Sequence, residues 1–513
     1  MKDKNKSGEI GPITPKVRRR EAFRIRREAA LFQRDHCLPD HLCNGDEDLF
    51  PNKIGNFSKG LPHNYLGEVD LNAYNAFIRA LTTGNPDDFE AIPLGGDLKL
   101  ANPQAAYVFD LVGPDSHQLG IAIPPAFNSA WQASEMAELY WQALTRDVPF
   151  AAYDTHPLTC AAASDLSKFS DFRGPKDGEK VTTGTLFRGN TPGDLKGPYI
   201  SQFLWKDIPF GATTIVQRYR TALAGHDYMT SYQEWLGIQN GSSPSSSNVL
   251  DPITRYIRNG RDLSEWVHRD FSCQGFLAAC LILLSFGQGA LDTSNPYLHS
   301  STQDGFITFG APHILDLVAK AARVALETAW FQKFLVHRRL RPEEFGGRVH
   351  NHLTGAASYP INPELFHSSV VGEVFSKFGT YLLPMAYPEG CPAHPAYPAG
   401  HALVAGAGVT MLKAFFNESF VIPNPVVASS DGLSLLPYSG PSLTIGGELN
   451  KLASNIALGR NTAGVHWRSD GIEGLKLGEK VAIKILEDYV KTYNEDFSGF
   501  SLTKFDGTTI TIE

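Results

Sequence analysis

Three short segments of this chain combine residues able to hold and use a highly charged anion. In the first, Lys333-Phe-Leu-Val-His337-Arg-Arg-Leu-Arg341-Pro342, the residues Lys333, His337 and Arg341 are spaced four apart. On one helix that spacing puts them on a shared face. Pro342 disfavours helical geometry at Arg341, so this arginine is expected at a helix end. The second segment, His394-Pro-Ala-Tyr-Pro-Ala399-Gly400-His401, is a Pro/Gly turn that opens onto the apolar run Ala402-Leu403-Val404-Ala405. Such a start leaves backbone N–H groups at a helix N-terminus, where anions bind. The third runs from Gly459-Arg460 to His466-Trp-Arg-Ser-Asp470 and sets His466 and Asp470 one helical turn apart.

Taken singly, each segment has an ordinary reading. Arg-Pro marks a helix end, Gly-His a helix cap, and His-x-x-x-Asp a solvated helix face. Taken together, and in apolar helices, they supply a lysine, two arginines, helix-end amides and several histidines. That set matches a tetrahedral or trigonal-bipyramidal oxyanion.

The order Lys…Arg-Pro, Pro-x-Gly-His, Arg-x5-His-x3-Asp resembles the signature of the vanadium haloperoxidase and type-2 phosphatidic acid phosphatase superfamily. The step of eight from Lys333 to Arg341 resembles the algal and cyanobacterial bromoperoxidases, since the fungal chloroperoxidases and the phosphatases have seven. The stretches NGDEDLFPNKIGNFSKGLPHN, VHRDF, DGFITFGAPHIL and VHRRLRPEEFGGRVH are also similar to that family, so the resemblance covers most of the chain.

The resemblance implies a mainly α fold, with haloperoxidase-like helical bundles, long loops and minor β structure. It implies vanadate as cofactor and oxidation of bromide or iodide by hydrogen peroxide to hypohalous acid, which halogenates small organic substrates. It assigns His466 as the vanadium ligand. Lys333, Arg341, Arg460 and the Gly400 N–H bind the oxyanion, and His401 is the acid–base residue. His394 matches a histidine of the bromoperoxidases, and Trp330 packs beside the site. Asp270 is the carboxylate that fixes an arginine, and Asp470 supports His466. A structural calcium and a homo-oligomer, dimeric or built from dimers, belong to the same expectation. The alternative is a phosphatase of the superfamily acting through a phosphohistidine at His466.

Two positions depart from the pattern. Ala399 stands where the family has serine, which removes a hydroxyl bond worth on the order of 1.5–3 kcal/mol to a charged group. Gly459 replaces the serine of the phosphatase motif, which favours the bromoperoxidase branch.

The elements that must position these residues are legible in outline. Helical patterns cover 71–81, 132–144, 263–286, 313–340, 364–383, 401–416, 448–458 and 464–493, with breakers at Pro342, Pro384 and Gly459. On 132–144, Ala133, Met136, Ala137, Tyr140, Trp141 and Leu144 share one face. Residues 1–16 read as disordered, 170–197 as loop, GSSPSSS at 241–247 as a linker, and 507–513 as an edge strand. This divides the chain into an N-terminal helical and loop region, 1–248, and a C-terminal helical core, 249–513, that carries the site.

The 513 residues are 42% hydrophobic and 19% charged, enough for a large core. A net charge of −8 gives no footing for a nucleic-acid partner. Arg18, Arg19, Arg20, Arg24, Arg26 and Arg27 form a basic amphipathic stretch expected to pack on the protein or on a neighbouring subunit. The N-terminus lacks the apolar stretch of a signal peptide, and the longest apolar run, 275–286, is too short to span a bilayer. The reading is a soluble protein whose compartment stays open. No cysteine pair has CxxC spacing, and only Cys37 and Cys43 sit close enough in sequence to suggest a disulfide.

Overall fold

The computed structural model describes residues 14–513. Most of the expected disordered start, 1–13, lies outside the described residues. Pro15 and Lys16 are helical instead, opening the helix Pro15–Arg34, whose first turn is capped by the Thr14 side chain. Proline is favoured there because the first helical N–H has no partner within the helix. The seven arginines of this helix are exposed. Its end docks on the C-terminal helix, where the Gln33 amide donates to Asp488 at 3.2 Å.

The architecture is helical. The described residues contain three small antiparallel hairpins, the last pairing Phe500–Thr503 with Thr509–Ile512. At the centre lies the helix Gly400–Phe415, packed by Ala311–Phe331, Ile445–Thr462 and Arg468–Tyr489. It is apolar on all sides because all sides are covered. Its approach to Arg468–Tyr489 is backbone to backbone. A Cβ at Gly406 would fall 2.3 Å from Leu475 O, and one at Gly478 would fall 2.1 Å from Leu403 O.

Several long helical patterns are broken in space. The 263–286 pattern is two helices, Gly260–Arg269 and Gln274–Leu284, bent by 97°. The extended backbone of Asp270 makes the break. The 313–340 pattern is Ala311–Phe331 followed by a π-helical turn, Gln332–His337, and a left-handed Arg338. Pro342 starts the helix Pro342–Leu353, where it was read as a terminator. The 364–383 pattern is Glu364–His367 plus Ser369–Phe378, closed by a left-handed Gly379. The 464–493 pattern begins its helix only at Arg468. Conversely, Ile445–Thr462 runs straight through Gly459. A Cβ there would lie 3.0 Å from Leu263 Cγ, so this glycine allows close packing and does not stop the helix.

The apolar core draws on both sides of residue 248. One cluster joins Phe203 and Ile200 to Leu403 and Leu452, and another joins Trp141 to Phe345 and Trp467. The helix Ala130–Thr145 was read as one-faced, yet every residue from Gln132 to Thr145 is buried, polar ones included. Cys37 and Cys43 are exposed free thiols and do not form a disulfide. Among the described residues no single helix is long and apolar enough to cross a membrane.

Candidate active site

The three chemistry-bearing segments converge on one cavity of about 200 Å³, lined by Asp270, Trp330, His394, Gly400, His401, Arg460 and His466 among others. Lys333 and Arg341 are fully buried just behind this lining. They do not share a helix face. Lys333 sits in the π-helical turn, and Arg341 is the extended residue before the Pro342 helix. A π-helical turn is a common device at functional sites because it re-aims side chains within a helix.

Lys333 Nζ donates to Pro395 O at 2.8 Å and to Ala396 O at 2.9 Å. Arg341 donates to His394 O at 2.9 Å and Val465 O at 2.7 Å, and its NH1 lies 3.0 Å from His466 Nε2. Arg460 donates to Val267 O at 2.7 Å, while its buried Nε has no partner. Burial, then the neighbouring Arg341, drives the Lys333 ammonium well below the usual lysine range. Among the described residues, none of these three cations is ion-paired with a carboxylate.

His466 is neutral. Burial lowers its pKa well below the ordinary value, and Arg341, Lys333 and Arg460 add repulsion. It precedes the Arg468 helix and is not in it, so the expected single turn shared with Asp470 is replaced by a cap. Asp470, three residues past the cap Trp467, turns its carboxylate back. It accepts from His466 Nδ1 at 2.8 Å, Trp467 N at 3.0 Å and Arg339 NH1 at 2.8 Å. That places the histidine proton on Nδ1 and leaves Nε2 as the acceptor nitrogen, which here meets Arg341 NH1 at the cavity wall.

Gly400 and His401 open the central helix, and their N–H groups are free of helical partners. Ala399 is the N-cap and has no side chain able to cap. His401 Nε2 lies 3.0 Å from Asp270 Oδ1. Asp270 therefore anchors the histidine, where the resemblance had suggested an arginine. Trp330 donates to Ala101 O at 3.0 Å, and its ring centre lies 4.9 Å from that of His394.

Sequence reasoning missed Arg339 and the polar face of the Ala130 helix. Arg339 bridges Asp470 to Glu135 at 3.0 Å and Gln132 at 2.7 Å, and Arg468 donates to Glu138 at 2.8 Å. The available signal was the density of Gln and Glu on an otherwise apolar helix. The residues chosen instead as its core face are equally buried.

His337, spaced to join the site, turns away from it. Its ring packs edge-on against Tyr397 at 4.8 Å, and both ring nitrogens are buried without partners. Burial, then Arg338 and Arg339, pushes its pKa down to about 3. A depressed histidine contributes stability that is present above the unfolded value of 6.5 and lost as the pH falls toward 3. His337→Leu removes that dependence. The drop in unfolding free energy between pH 8 and pH 5 is expected to shrink by about 2 kcal/mol in urea titrations. An unchanged drop would show that His337 is not held neutral.

The cation set fits a bound oxyanion. Three buried positive groups without carboxylate partners would each be costly to hold alone. Arg460, whose Nε is unpartnered, the Gly400–His401 helix start and the His466 imidazole line the same space.

Comparison with known proteins agrees with this geometry. Residues 371–495 match the VCPO second helical-bundle domain. A vanadium-dependent bromoperoxidase of Ascophyllum nodosum is 35% identical over 524 residues, covering 97% of this chain and 93% of that protein. One from Corallina pilulifera is 35% identical over 591 residues, covering 96% and 98%. The homohexameric structure of the second vanadate-dependent bromoperoxidase from Ascophyllum nodosum matches with a TM-score of 0.94 at 30% identity, covering 100% of this chain and 94% of that one. With relatives of that identity matched along nearly their whole length, the chain belongs to the vanadium-dependent bromoperoxidase family.

Proposed function

We propose that this protein is a vanadate-dependent haloperoxidase. It oxidises bromide and iodide with hydrogen peroxide to hypohalous acid, which halogenates small organic compounds. The observation that carries the reading is the set of three buried, carboxylate-free cations facing a neutral histidine. Bound vanadate supplies a Lewis-acid centre that activates peroxide toward halide. Lys333, Arg341, Arg460 and the Gly400 N–H would hold its oxygens. His466 Nε2 would be the vanadium ligand, kept in register by the Nδ1–H bond to Asp470. His401 has Nε2 tied to Asp270, which leaves Nδ1 to exchange a proton with peroxide or water. His394 positions Arg341 through its carbonyl and Nδ1, and Trp330 closes the wall behind it. With alanine at 399, the oxyanion meets one donor fewer, which favours bromide and iodide over the harder-to-oxidise chloride.

The test is a halide-oxidation assay on protein stripped of oxyanion and then supplied with vanadate or phosphate. Vanadate is expected to restore bromide oxidation, and phosphate to compete without restoring it. Restoration by phosphate, or phosphate-ester hydrolysis as the main activity, would overturn the reading.

We further propose that 249–513 is the site-bearing core and 1–248 the region that buttresses it through Gln132, Glu135 and Glu138. A structural calcium would rely on backbone carbonyls, since no group of three or more acidic, His or Cys residues is placed for a metal among the described residues. The assembly is a dimer or built from dimers. The exposed basic helix and the exposed Phe109 and Leu111, 73% and 99% accessible, support contacts between copies. Sedimentation at micromolar concentration should give a species at least twice the 56.2 kDa chain mass, and a monomer alone would refute this.

A further inference from the structure

The two walls of the cavity are tied together by a histidine outside it. His268 projects from the helix Gly260–Arg269. Its Nδ1 lies 3.2 Å from Glu265 on the same helix, and its Nε2 lies 2.6 Å from Glu389 on the loop that follows Tyr387. Its ring stacks on Tyr387 at 3.7 Å and 11°. Two carboxylates at two ring nitrogens require two N–H donors, so this bridge is complete only when the imidazole is protonated.

Each end of the bridge leads to the site. On the helix side, Val267 O holds Arg460, and Asp270 holds His401. On the loop side, Cys391 N donates to Glu343 at 2.7 Å, and Lys59 Nζ donates to Glu389 O at 2.8 Å and Cys391 O at 2.6 Å. The same loop continues to His394 and to the carbonyls of Pro395 and Ala396 that hold Lys333. Besides this bridge, the Tyr387 hydroxyl donates to Ser264 O, so the ring under His268 is itself fixed.

We propose that His268 is a pH-sensitive positioning residue that sets the spacing between the Arg460–His401 wall and the Lys333–His394 wall. The inference rests on the vanadate reading above. When His268 loses its proton, one nitrogen faces a carboxylate with lone pair against lone pair, so one of the two bonds is lost and the tie between the walls weakens to the remaining bond and the Tyr387–Ser264 contact. Other groups facing it are Arg269, which pairs with Glu265 at 3.0 Å, Asn248, which donates to Glu265 at 2.8 Å, and Lys59 beyond Glu389. Burial opposes the charge on His268, but Glu265 and Glu389 outweigh it and hold its pKa above the ordinary value.

The test uses the full chain and vanadate alone as probe. The dissociation constant is measured by equilibrium dialysis across pH for wild type and His268→Gln. Their ratio cancels the ionisation of vanadate and of the other site residues. It is expected to be about tenfold where His268 is charged, the size of effect an outer-shell partner has. It should fall to one as the wild-type imidazole titrates, followed by NMR on the same sample. Glu389 is half exposed, with a side chain 48% accessible, so Glu389→Gln is a mild surface change. In that background both the NMR titration and the midpoint of the ratio should move to lower pH together. A ratio that is constant with pH, or a midpoint that does not follow the imidazole, overturns the proposal. Wild type that retains no vanadate at any pH would instead bring down the cofactor reading, and this inference with it.

Discussion

His466→Ala is expected to retain no vanadium after dialysis and to lose bromide oxidation. The loss should exceed the ~100-fold that removal of an outer-shell partner reaches, because here the proposed ligand itself is gone. His466 is 1% exposed, and its one protein acceptor is Asp470. The variant should still fold. Asp470 keeps the Trp467 N–H and Arg339, so the lost charged hydrogen bond costs about 1.5–3 kcal/mol. Lys333, Arg341 and Arg460 also remain, and phosphate or vanadate should still bind weakly as a free anion. The checks are vanadium content after dialysis and the steady-state rate at saturating vanadate. A folded His466→Ala protein with full activity would sink the assignment of this residue.

Asp470→Asn should weaken vanadate binding by about 10–100-fold while leaving every direct anion contact in place. Asp470 is fully buried and receives His466, Trp467 and Arg339 at once, so its charge does three jobs. An amide oxygen in the Oδ2 position can still accept from His466 and Trp467, but without the charge, and it turns its NH2 toward Arg339. Arg339 keeps Glu135 yet loses its second counter-charge. Breaking a buried pair from one side costs about 3–5 kcal/mol when the partner is left uncompensated. The residual pairing with Glu135 puts this variant toward the lower end of that range. Dialysis against vanadate and urea unfolding measure the two effects separately. A variant with wild-type affinity would show that His466 needs no anchor.

The two predictions depend on different kinds of knowledge. That His466, Lys333, Arg341, Arg460 and His401 could act together was legible in the chain from their residue types and spacing, and the structure brings them to one cavity. The helix start at Gly400 followed from local rules about proline, glycine and capping, whereas Pro342 opens a helix it was expected to end, and the helix start at Arg468 was not legible. The helical class and most helix positions followed from apolar periodicity. Arg339 was not legible, although it stands two residues from Arg341. One of a run of arginines becomes special only when a carboxylate from 131 residues away meets it.

What the chain determined by itself was the inventory: which groups could bind an oxyanion, in what order, and that apolar helices would carry them. What only the tertiary structure decided was direction. The spacing of Lys333, His337 and Arg341 suggested one helical face, but the π-helical turn and the left-handed Arg338 send His337 against Tyr397 and Arg341 against His466. Gly459 looked like a terminator and is a close-packing site. The Ala130 helix shows one apolar face in sequence, yet its polar residues are buried too, with Glu135 and Glu138 as ion-pair partners. The physical reason is common to all three. Backbone preference and periodicity act over a few residues, whereas the burial of a charge is settled by whichever distant segment arrives to neutralise it.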